Sequence, residues 1–111
     1  MAEHWYVAPG EVLTFTAPSG GVVHGTPYLI GAIVAIATVD AAEGVKFEGY
    51  VGPGRVNGPK ATGAWTEGQK INWDNTAKKF TTGAGTLVGI AAQAAASGDT
   101  TGQVRLDGVT R

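Results

Sequence analysis

The 111 residues suffice for one hydrophobic core, since a chain of this length buries roughly 65% of its unfolded surface, and they leave no room for a second, so one domain over residues 1–111 is expected. Eight Lys and Arg stand against nine Asp and Glu, and the basic residues are dispersed, which argues against nucleic acid and against membrane surfaces as partners. Cysteine is absent, which excludes disulfides and thiolate chemistry.

The first ten residues, MAEHWYVAPG, lack the basic start and long apolar run of a secretory signal. They read as an extended arm, because Pro9 biases Ala8 away from helix. Trp5 and Tyr6 are large for a free terminus, and docking on the chain's own core or on a neighbouring chain both fit. A strand follows at 11–16, with Leu13 and Phe15 on one face, then a turn at 17–21 and a short extended piece at 22–24. Residues 26–39 are apolar on both faces. Length and pattern allow a buried strand or a helix; Gly31 and the β-branched Ile30, Ile33, Val34 and Ile36 favour strand. The longest apolar stretch, 28–37, is about half of what spanning a bilayer requires. A soluble protein made in the cytoplasm is therefore expected.

Residues 45–51 alternate cleanly, with Val45, Phe47 and Val51 on one face and Lys46, Glu48 and Tyr50 on the other. Residues 52–63, GPGRVNGPKATG, match no regular element and read as a long Gly/Pro-rich surface loop. A hairpin is expected over 69–82, turning at 75–77, with Trp73 facing Phe80. The alanine-rich segment 86–98 has the composition of a helix. An internal comparison argues for strand instead. LIGAIVAIATVDAAEGVKFEG from Leu29 and LVGIAAQAAASGDTTGQVRLDG from Leu87 share an opening Leu-x-Gly, a small apolar run, an acidic turn and a closing strand. Aligned this way, Val45 to Gly49 matches Val104 to Gly108, and the two copies are expected to form related hairpins. A final strand is expected over 103–107. Eighteen glycines between apolar segments complete the picture of an all-β sandwich or barrel.

Reactive constellations are not found. His4 and His24 have no second ligand at metal spacing, so no metal is expected. The turn acids Asp40, Glu43 and Asp99 fit the usual role of bonding their own backbone. GPGRVNG fails the dinucleotide pattern by one residue and the P-loop by Pro59 before Lys60. Ser19 and Ser97 are the only serines and lie in turns. No cofactor and no enzymatic activity are expected. Trp73 reads as core; Trp65 is open between core and a stacking platform for sugar, which leaves a carbohydrate-binding module as the alternative function.

Read together, several stretches resemble one family. They are YVAPGEVLTFTAPSGGVVHG, LIGAIVAIA and PKATGAW, then Trp65 with Glu67-Gly68, Trp73-Asp74, Leu87-x-Gly89-x-Ala91, Gly98-Asp99 and Val104-x-Leu106-x-Gly108. In order and spacing, over about residues 6–108, they resemble the capsid cement, or head-decoration, proteins of tailed bacteriophages and prophages. Gln69 and Asn72 depart from the family's pattern without disturbing the strand. The resemblance implies a β-rich, non-enzymatic protein on the outer surface of the virion. It would bridge major capsid subunits as a homodimer or homotrimer and stabilise the shell. Expected contacts with the capsid or a second copy are Trp5, Tyr6, Val7 and Pro9 in the arm, Arg55, Val56 and Lys60 in the loop, and Trp65.

Overall fold

The computed structural model describes residues 12–107; the expected arm, with Trp5, Tyr6, Val7 and Pro9, lies outside them. Among the described residues there is no helix. The strands are β1 (Val12–Thr16), β2 (Pro27–Ile30), β3 (Ile33–Ala37), β4 (Lys46–Tyr50), β5 (Gly54–Pro59), β6 (Lys70–Asp74), β7 (Lys79–Thr81), β8 (Thr86–Ala91) and β9 (Thr101–Leu106). They form two antiparallel sheets, ordered β1-β4-β3-β2 and β5-β9-β8-β6-β7. Val34, with Leu29, Ile36 and Tyr50 beside it, packs the first sheet onto the core of the second.

Three expectations need correction. The apolar run 26–39 is two strands, because Gly31 takes φ +61° and the chain reverses over Gly31 and Ala32, pairing Ile30 with Ile33. A positive φ at the first turn position suits a two-residue hairpin. The supposed loop 52–63 contains β5, paired along its whole length with β9, Gly54 opposite Leu106 through Pro59 opposite Thr101. Its composition hides the strand, since Val56 alone is a good strand former and the pairing comes from a partner almost fifty residues away. Finally, the alanine-rich segment is strand only as far as Ala91, where β8 ends.

The internal repeat is real, but its register is different. Val22 and Ala41 exchange two backbone hydrogen bonds, at 2.8 and 3.0 Å, as do Trp65 and Ala95, at 2.9 and 3.1 Å. Gly25 N–H donates to the Ala37 carbonyl at 2.7 Å, and Gly68 N–H to that of Ala91 at 2.8 Å. Thr38 N–H donates to Glu48, and Ala92 N–H to Gln103. By these matches β1, β2, β3 and β4 correspond to β5, β6, β8 and β9, in the same order across each sheet. The strand β7 has no counterpart. The Leu-x-Gly match misplaces the register because its two glycines do different work. Gly31 makes a turn, whereas Gly89 lies within β8 against the Arg105 carbonyl, where a Cβ would not fit.

The two halves solve one packing problem in opposite ways. In the first, Phe15 lies opposite Phe47, their ring centroids 5.9 Å apart. The corresponding pair in the second half is Gly58 opposite Gly102. The room these glycines leave is taken by rings from elsewhere: Phe80 of β7 lies over Gly58, and Trp65 over Gly102. Phe80 also meets Trp73 edge-on at 4.9 Å, the contact expected from the hairpin. Its carbonyl accepts the Ala61 N–H at 2.9 Å, which joins β7 to the chain leaving β5 and closes the second half toward a barrel. At the place of Ala61 the first half has Pro18, which has no N–H to satisfy, so that half is complete as an open sheet.

Candidate functional site

The turn acids are occupied with structure. Asp40 Oδ1 accepts the His24 N–H at 2.8 Å, Glu43 Oε1 that of Gly20 at 3.2 Å, and Asp99 Oδ2 that of Ala96 at 2.9 Å. Asp74 Oδ1 accepts from both Thr76 and Ala77. These are turn-fixing roles, as the sequence suggests. Among the described residues no three of His, Cys, Asp and Glu stand close enough to hold a metal, and no helix is long and apolar enough to cross a membrane. An open groove of about 460 Å³ runs between the halves, walled by Pro27 and Pro59 with Thr26, Asn57, Thr100 and Thr101. Among the described residues its lining carries no titratable side chain, so it offers no acid–base pair.

The residues expected at a contact separate into two environments. Arg55 is exposed on β5, and Val56 beside it is half-buried, turned toward the core. Lys60 and Trp65 are interior, at 2% and 3% exposure. The Lys60 ammonium donates to the carbonyls of Ala61 at 3.1 Å and of Ser97 and Asp99 at 3.5 Å, and lies 5.6 Å from the centre of the Trp65 ring. A cation needs such partners to be buried. Lys60 thus ties the turn before β9 to the end of β5. Burial also withdraws Trp65 and Trp73 from the stacking role that a carbohydrate-binding module requires. Lys60→Met, which keeps the stem and removes the donors, is expected to lower stability by about 1–3 kcal/mol, read as a reduced urea midpoint with an unchanged slope. A midpoint equal to that of the unaltered protein would show that the carbonyl cage contributes nothing.

The sequence reading missed the surface that stands out most. Five large apolar residues of the first half, Val12, Leu13, Val23, Val39 and Val45, are between 39 and 60% exposed. In the larger second half only Ile90 is in that class among the described residues. Val12 and Leu13 lie on β1, an outer strand of its sheet, and point to its two opposite faces. Val23 and Val39 belong to two loops tied by the His24–Asp40 bond, and Val45 precedes β4, its carbonyl accepting the Ala17 N–H. Single exposed apolar residues need no explanation, but their segregation to one half does. The signal in the sequence was a break in pattern: Val23, Val39 and Val45 all fall in or beside turns and bends, where apolar side chains have little core to join.

Over residues 7–106 the chain matches a family described as phage cement protein. No curated protein and no solved structure matches it.

Proposed function

The chain belongs to the phage cement protein family, structural proteins of the capsid and not an enzyme class, and on that membership we propose that it binds the outer surface of the assembled head, bridges neighbouring major capsid subunits and so stabilises the shell. The observation that carries this reading is the large apolar side chains exposed in the first half, two of which, Val12 and Leu13, follow closely in sequence on Trp5, Tyr6, Val7 and Pro9. Aromatic anchors dominate the energetics of protein contacts, and the exposed Val12 and Leu13, a few residues further along the chain, would add apolar contact to such anchors. The molecule is a plate 20 Å thick and 46 by 36 Å across, a shape that spreads over a wall. Self-association into dimers or trimers adds avidity: linked copies on a fixed lattice bind far more tightly than one copy alone.

Co-sedimentation with empty, expanded heads tests the proposal. The unaltered protein is expected to pellet with heads. A Leu13→Glu, Val45→Glu double variant is expected to bind at least about tenfold more weakly, equivalent to about 1.4 kcal/mol. Both positions are exposed, so the thermal midpoint should stay near that of the unaltered protein. Undiminished pelleting of the variant would remove this surface from the contact, and a protein that never pellets with heads would remove the decoration role.

A further inference from the structure

The second half carries a different surface. The strand register places Arg55 of β5 directly opposite Arg105 of β9, Arg105 opposite Ile90 of β8, and Ile90 opposite Lys70 of β6. These four residues therefore form one row across four strands, and all four are exposed. The inward neighbours on either side, Val104, Leu106, Ala91 and Ile71, are buried, so the row stands on the outer face of the sheet. Two arginines directly opposite each other on neighbouring strands repel and weaken the pairing. Arg55 Nη1 donates to Gln103 Oε1 at 3.3 Å, which holds its guanidinium against β9. Asp107, two residues beyond Arg105, brings one carboxylate toward the end of this face and has a partner of its own. With Asp74 of β6 and Lys79 of β7 opposite each other on the same face, the face carries four cations against two acids, in a chain whose charges otherwise almost cancel. Ile90, 40% exposed, sits among these cations and is the second half's sole large exposed hydrophobic residue among those described.

We propose that the row Arg55–Arg105–Ile90–Lys70 is a second docking surface, shaped for an acidic protein surface that offers carboxylates around a small apolar spot. This rests on the decoration reading and names the partner chemistry: carboxylate-rich ground on the head's outer wall. Paired guanidinium groups suit carboxylates, which they bind through two parallel hydrogen bonds. An acidic partner also relieves the repulsion that the free protein bears. With the apolar surface of the first half, the plate has two unlike contact faces, as a clamp between different capsid subunits requires.

The test compares two variants of equal charge change in the full-length protein. Arg55→Glu with Arg105→Glu reverses the row. Lys78→Glu with Lys79→Glu makes the same change outside the row, at the last residue of the β6–β7 turn and the first of β7, both exposed. Binding to empty heads is measured by co-sedimentation across a range of salt concentrations. The row variant is expected to bind at least about tenfold more weakly at low salt and to lose most of the salt dependence shown by the unaltered protein. The turn variant should keep both. Equal losses in the two variants, or no loss in the row variant, would overturn the inference while leaving the decoration reading intact. Tighter association of the unaltered protein with duplex DNA than with heads would overturn it in favour of phosphate as the partner. Failure of the unaltered protein to bind heads at any salt would overturn the decoration reading and this inference with it.

Discussion

Replacing Phe80 by Ala is expected to destabilise the protein by about 3–5 kcal/mol, a large share of the 5–15 kcal/mol that holds a typical domain folded. The ring is wholly buried, meets Trp73 edge-on and fills the room left by Gly58. The partner substitution tests the cause. A Cβ on Gly58 would run into the Phe80 ring, so Gly58→Ala alone is expected to cost about 1–3 kcal/mol. In the Phe80→Ala background the same methyl enters vacated space and should cost little or restore stability. The cycle is read from chemical denaturation of the four proteins, with the coupling taken as the departure from additivity. Strict additivity would mean that Gly58 and Phe80 do not share one volume, and that the contrast between the halves lacks the packing origin given to it here.

Removing residues 1–8 is expected to do the reverse, leaving the fold intact and abolishing function. Every strand and core residue described lies beyond the cut. The lost segment carries Trp5 and Tyr6, and aromatic anchors at the centre of an interface are each worth about 2 kcal/mol or more. The shortened protein should therefore keep its strand-dominated circular dichroism and bind heads about a hundredfold more weakly or worse. Undiminished coating would dismiss the arm as an anchor. A loss of folded signal would show instead that the arm completes the first half's core.

Particular residues show which parts of this protein were legible in its sequence. The β6–β7 hairpin was, because Ile71 and Trp73 alternate with polar neighbours and Phe80 falls opposite Trp73. The strand character of 86–91 emerged against helix propensity through comparison of the two halves. Hidden were features decided by distant partners. β5 looks like a loop because Gly54 and Gly58 are there to admit the Tyr50 and Phe80 side chains, a role that no local pattern shows. The repeat register was misread because its clearest structural matches, Val22 with Trp65 and Phe15 with Gly58, pair residues of opposite size. The same exchange of small for large hid the interior position of Trp65 and, beneath it, that of Lys60. The cationic row could not be seen at all before the strands were paired, since Arg55, Lys70, Ile90 and Arg105 are scattered over half the chain.

Electron cryo-microscopy of empty, expanded heads incubated with the protein tests the central claim most directly. The account predicts added density on the outside of the shell, lying across junctions between capsid subunits, with Val12, Leu13 and the loops bearing Val23, Val39 and Val45 turned to the wall. Bare heads under saturating protein, density confined to the interior, or a plate whose first half faces solvent would contradict it.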